Sequence, residues 1–248
     1  MIKPRSRARI CLLAARSARA LMMALPLALA FTPDAHAGAT ISPVLIEFPA
    51  RQSATIVRLT NTGTDPSSYE LRVLAWSQAG DKDDQTPTND IIMSPAVATL
   101  PGGATQLVRL VLRNVPRERE HAYRLIMTEL PAPGAGRISI AVSLRSSMPV
   151  LAAPMAGPPG KLIWQMETGA DGNSVFVATN AGSRTVRPGP VTATAEGGKP
   201  VTLVPRGELP GVQPGAERRW DAKGVKFGSP VTLVYSNMGA NVTQTLSP

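Results

Sequence analysis

Residues 55–63 read Thr-Ile-Val-Arg-Leu-Thr-Asn-Thr-Gly. The run Thr55 to Leu59 is mostly β-branched or aliphatic, side chains that suit a pleated surface better than a helix. It runs into Asn61-Thr62-Gly63, residues that tolerate the backbone angles of a turn. The stretch therefore reads as a strand closed by a turn, and the unit recurs on both sides of it. Tyr69 to Trp76 puts Leu71, Val73 and Ala75 on one face. Gln78 to Asn89 reads as a polar connection. Gln106 to Leu112 follows the turn Pro101-Gly102-Gly103, and Tyr123 to Leu130 is stopped by Pro131. Between these turns no window keeps a helical period. The 24 prolines and 21 glycines also disfavour long helices.

The segment from Ala152 to Gly160, Ala-Ala-Pro-Met-Ala-Gly-Pro-Pro-Gly, is short and proline-rich, which predicts a semi-rigid joint. The β pattern resumes after it in Leu162 to Trp164, Val175 to Thr179 and Val231 to Tyr235. An early strand in each half ends in Asn-x-Gly, as Asn61-Thr62-Gly63 and Asn180-Ala181-Gly182. The spacing of strands and turns predicts an all-β chain of two immunoglobulin-like β-sandwich domains joined at an angle. The expected divisions are 38–152 for the first domain, 153–160 for the linker and 161–248 for the second.

The formal charge of +9 suggests a nucleic-acid partner until its distribution is considered. Six basic residues lie in the first 20 positions, before an apolar run from Leu21 to Phe31 and the small-x-small site Ala35-His36-Ala37. That is the pattern of a secretory signal over residues 1–37, cut after Ala37. Beyond it, 20 basic residues face 16 acidic ones without a block of like charge, so nucleic-acid binding is not expected. The apolar run is shorter than the ~20 residues that span a bilayer. No later segment qualifies either, so the exported chain is expected not to insert in the membrane. The one cysteine, Cys11, falls inside the signal, which leaves an exported chain without disulfides and dependent on its cores.

Motifs for chemistry are missing. His121 is the only histidine past the signal and reads as a surface residue at the start of a strand. There is no nucleophile elbow, no phosphate loop and no zinc-ligand spacing. Asp81-Lys82-Asp83-Asp84 lacks the glycine and the terminal glutamate of a calcium loop and reads as solvated. No catalytic residue, metal or cofactor is expected.

Residues 137–151 read Arg-Ile-Ser-Ile-Ala-Val-Ser-Leu-Arg-Ser-Ser-Met-Pro-Val-Leu. Ile138, Ile140, Val142 and Leu144 fall at period two and form one apolar strand face. Any sandwich strand buries such a face in its own core. A strand at an exposed edge would instead offer the row and its backbone to another protein. Here the sequence resembles the PapD-like periplasmic chaperones of the chaperone–usher pathway. The residues that carry the resemblance are Ile56-Val57-Arg58-Leu59-Thr60-Asn61, then Ile91-Ile92-Met93-Ser94-Pro95, then Leu100 to Leu110 with its Pro-Gly turn, Gln106 and Val108-Arg109-Leu110. Tyr123-Arg124-Leu125 with Glu129-Leu130-Pro131 follows, and Met148-Pro149-Val150 is similar to the last strand in the archaic branch. The second half is similar more loosely, through Trp164, Asn180-Ala181-Gly182, Leu209-Pro210-Gly211 and Trp220.

The resemblance implies a periplasmic chaperone. It would lend Ile138, Ile140, Val142 and Leu144 as a donor strand to pilus subunits, which are immunoglobulin-like folds lacking a final strand, and pass them to an outer-membrane usher. The family's basic pair for a subunit's terminal carboxylate falls near Leu45 and Pro149, neither of them charged. Arg145 and Arg124 are the candidate substitutes. Arg109 and Glu129 match positions that the family links to an internal ion pair. Two other readings stay open on the sequence: an exported pilus subunit or adhesin, and a ligand-binding sandwich.

Overall fold

A computed structural model describes residues 38–131, 144–207, 211–228, 230–237 and 239–247. The predicted signal and Ile138, Ile140 and Val142 lie outside the described residues. Every regular element among the described residues is a strand.

The first ten strands are β1 (Ala39–Ser42), β2 (Ile46–Phe48), β3 (Ala54–Asn61), β4 (Ser67–Ala79), β5 (Lys82–Pro87), β6 (Ile91–Ser94), β7 (Val97–Leu100), β8 (Thr105–Leu112), β9 (His121–Leu130) and β10 (Arg145–Ala152). They build two sheets. Sheet I has the order β1-β3-β8-β6, and sheet II has β2-β10-β9-β4-β5 with β7 also paired to β4. Alternation explains the layering: Val57 and Leu59 of β3 and Val108 and Leu110 of β8 meet Tyr69, Leu125 and Met127 of sheet II in one buried core. Leu71 joins that core, and Val73 and Ala75 pack against it on the expected face.

The polar stretch 78–89 differs from its sequence reading. β4 continues to Ala79 and turns through Asp81 into β5, a hairpin in which Leu74 to Ala79 pair with Lys82 to Pro87. Gly80, at φ 59°, supplies the left-handed position that lets this polar segment close as a hairpin.

The other eight strands are β11 (Leu162–Thr168), β12 (Ser174–Asn180), β13 (Thr192–Ala195), β14 (Val201–Thr202), β15 (Val204–Pro205), β16 (Glu217–Asp221), β17 (Val231–Asn237) and β18 (Ala240–Leu246). Sheet III has the order β11-β12-β16-β15, and sheet IV has β14-β13-β17-β18. Their shared core centres on Trp164, Phe176, Trp220, Leu233 and Tyr235. Trp164 packs tilted against Trp220 and Tyr235, with ring centroids 4.8 and 5.6 Å away.

The two Asn-x-Gly sequences build the same corner. Asn61 is buried; its Nδ2 donates to Asp65 O (2.8 Å) and Leu100 O (3.0 Å), and its Oδ1 accepts from Gly63 N (2.9 Å). Asn180 is buried; its Nδ2 donates to Arg184 O (2.8 Å) and Val212 O (2.8 Å), and its Oδ1 accepts from Gly182 N (2.9 Å). The backbones repeat as well. Asn61 exchanges bonds with Ala104 and Gly103, and Asn180 exchanges bonds with Ala216 and Gly215.

The proline-rich joint is bonded at both ends. Ala153 N and Met155 N donate to Phe48 O and Pro116 O in the first half, and Ser183 N donates to Pro158 O from the second.

Candidate functional site

β10 is paired unequally on its two sides. With β9 it forms a full antiparallel ladder from Arg145↔Thr128 to Ala152↔His121. With β2 it pairs, in parallel, only at Val150, Leu151 and Ala152. Along Arg145 to Pro149 no described strand covers the second side. Leu144 fixes which backbone groups face that gap: its carbonyl accepts from Glu129 N at 2.9 Å. In an antiparallel ladder the directly bonded pairs alternate. Ser146 and Met148 therefore turn their N–H and C=O toward β9, while Arg145, Ser147 and Pro149 turn theirs toward the open side. Pro149 has no N–H to offer and sits where the strand edge tolerates proline.

The side chains of β10 alternate too. Met148, Val150 and Ala152 are buried in the first core, and Leu144 is half-buried against it. Arg145, at the head of the strand, is exposed.

Arg124 lies on β9 directly opposite Pro149, so both side chains emerge on the outer face of sheet II. It is only 6% exposed, which for a permanent cation demands compensation. Its Nε donates to Ser147 Oγ at 3.0 Å and its Nη2 to Ser147 O at 3.1 Å. Its guanidinium lies 5.3 Å from the centre of the Trp76 ring. Arg145 pairs with Thr128, four positions farther along β9, a separation of roughly 13 Å at strand rise. The two candidate anchors are thus not brought together.

Arg109 and Glu129 stand on different sheets. Arg109 is exposed on β8, opposite Ile56 of β3. Glu129 is half-buried on β9, near Gly38. The ion pairs among the described residues do not join them.

In the Asp81-Lys82-Asp83-Asp84 stretch only Lys82 and Asp84 are solvated as the sequence suggests, while Asp81 and Asp83 are half-buried. Arg218 of β16, 1% exposed at its side chain, forms an ion pair through Nη2 with Asp83 Oδ1 and donates from Nη1 to Asp81 O at 3.1 Å. Trp76 Nε1 and Gln78 Nε2 also donate to Asp83 Oδ1, at 2.8 and 3.2 Å. Arg219 N donates to Asp81 Oδ1 at 3.1 Å, and Gln213 Nε2 donates to Trp76 O at 3.1 Å. Burial would push the Asp83 carboxyl up. The hydrogen bonds from Arg218, Trp76 and Gln78 outweigh it and hold the group below the usual carboxylate range. The clasp joins residues more than 130 positions apart, and no local motif announces it. Among the described residues no cluster of His, Cys, Asp and Glu is arranged to hold a metal.

Comparison with known proteins accords with this geometry. Residues 38–158 match the family model for pili and flagellar-assembly chaperones, PapD N-terminal domain. No curated protein sequence matches the chain. Among solved structures, the CsuC–CsuE chaperone–tip adhesion subunit complex from archaic Csu pili of Acinetobacter baumannii matches at 23% identity over 84% of this chain and 98% of that one, with a TM-score of 0.61. The YadV chaperone matches at 17% identity over 86% and 100%, with a TM-score of 0.63. A Salmonella enterica SafA pilin complex with the SafB chaperone matches at 16% identity over 84% and 96%, with a TM-score of 0.62. These likenesses establish a shared two-domain all-β fold. Residues 38–158, the first sandwich with the joint that follows it, belong to the family of the PapD N-terminal domain of pili and flagellar-assembly chaperones.

Proposed function

We propose that this protein is a periplasmic chaperone that holds pilus subunits by adding an edge strand to them and delivers them to an outer-membrane usher. The observation that carries the reading is the side of β10 from Arg145 to Pro149 that no described strand covers. Uncovered sheet edges are aggregation hazards that proteins normally cover or blunt. An edge that serves strand addition, the mode by which chaperones complement pilins, has a reason to stay open.

The side-chain pattern supports donation. Met148, Val150 and Ala152 serve the protein's own core, and Leu144, half-buried, packs against it. Ile138, Ile140 and Val142 continue the same parity in sequence. As a donated row they would fill a subunit groove that lacks one strand, each buried aliphatic contributing ~1.5–3 kcal/mol. In this reading Arg124 is the stronger candidate for the subunit's terminal carboxylate, since it lies across from Pro149, where the family's basic residue would fall. Arg145 is the exposed alternative.

Ile140→Asp and Val142→Asp test the reading. A buried, unpaired carboxylate is strongly disfavoured, so whichever body buries the row should fail. The expected result is a variant with wild-type thermal unfolding that no longer co-purifies its subunit from periplasmic extract. A variant that unfolds by itself would return the row to the protein's own core and end the proposal.

A further inference from the structure

The outer face of sheet I carries an unusual set of side chains. Ile56, Ile92 and Leu107 are 53%, 46% and 52% exposed. Ile56 stands directly opposite Arg109, and Leu107 directly opposite Arg58, so aliphatic and cation alternate across β3 and β8. Ile92 of β6 stands opposite Val111 on the same face. Neither Arg58 nor Arg109 has an ion pair among the described residues. The outward positions of β1, β3, β6 and β8 include no carboxylate and no lysine.

We infer that this face is a second docking surface, for a folded protein partner that presents carboxylates among aliphatic side chains. Three observations narrow the occupant. Two unpaired arginines in an acid-free patch call for negative charge, and arginine is the cation suited to bidentate carboxylate pairing at interfaces. A second copy is a poor occupant, because a two-fold contact would set the same arginines against each other. A bilayer surface is also a poor match, since the face lacks the tryptophan, tyrosine and lysine of interfacial anchoring. The surface lies on sheet I, whereas the open side of β10 and the contacts to the second sandwich lie on sheet II. Both surfaces can therefore be engaged at once, and this inference stands whether or not β10 is donated.

The test uses the purified protein and three probes: a synthetic peptide alternating Glu and Val, a matched Lys–Val peptide, and phosphatidylglycerol vesicles. The expected result is saturable binding of the Glu–Val peptide alone, with amide shifts mapping to β3, β6 and β8. The double substitution R58E/R109E should weaken it by about tenfold or more, as should raised salt. Thermal unfolding of that variant should stay unchanged, because both side chains are exposed. R58K/R109K should retain part of the binding through charge alone. Equal binding of the Lys–Val peptide, shifts away from these strands, no binding, or binding of vesicles without the Glu–Val peptide would each overturn the inference.

Discussion

Asn61 and Asn180 show how one side chain can close a sandwich corner. Each spends two donors and one acceptor on backbone groups that the strand ends would otherwise leave unmet. Alanine at either position strands carbonyls in buried surroundings, at a cost of ~1–3 kcal/mol for each group that water cannot reach. Asn61→Ala and Asn180→Ala should each destabilise the protein by about 2–4 kcal/mol, measured by denaturant unfolding. Asn→Asp should lose nearly as much, because the carboxylate keeps the bond from glycine but turns both donors into acceptors facing carbonyls. Equal stability of the Asp and Asn forms would mean that the acceptor alone matters.

At the scale of the strand, β10 divides its backbone between two tasks. Its even-numbered residues bond to β9, and its odd-numbered residues before Pro149 face the open side. Proline removes one N–H, so its effect should alternate along the strand. Ser146→Pro breaks the protein's own ladder and should cost about 3 kcal/mol or more. Arg145→Pro removes an N–H from the open side, so it should leave the unfolding midpoint within a few degrees of wild type while weakening subunit capture. Similar destabilisation by both would show that the open side is not free. Most of this architecture was legible in sequence, since turn residues and period-two runs are local signals. Thr55 to Gly63 foretold β3 and its corner, and Tyr123 to Pro131 foretold β9 almost to its ends. The hairpin at 79–82 was not legible, because polar side chains hid a strand whose stability comes from pairing rather than from burial. Unequal pairing of β10 was not legible either: which strand lies at an edge is a property of the assembled sheet, and only Pro149 hinted at it.

At the scale of the molecule, the contact between the two halves includes a charge pair with both side chains largely buried. Asp83 and Arg218 are separated by 135 positions, so neither sequence neighbourhood announces the other. Gly207 makes room for the pair: at φ 83°, with a Cβ built there falling on Arg218 Nη1 and 2.9 Å from Asp81 O, it admits no larger residue without displacing the arginine. Removing one partner leaves the other charge buried. Arg218→Met should therefore destabilise the protein by about 3–5 kcal/mol, while the double variant Asp83→Leu/Arg218→Met should recover much of the loss. The pair also predicts a pH dependence whose sign follows from Asp83. Its carboxyl is held below the usual range in the folded state, so the unfolded chain takes up the proton first as pH falls. The stabilisation is complete above the ordinary aspartate range and drains away as pH drops through the folded value. Denaturant unfolding from neutral to acid pH should show that decline in the wild type. The same series in Asp83→Asn should lack this component of the decline, since no proton can bind there. If wild type and Asp83→Asn lose stability in parallel through the acid range, other carboxylates set the acid limit and the clasp is not the group that fails first.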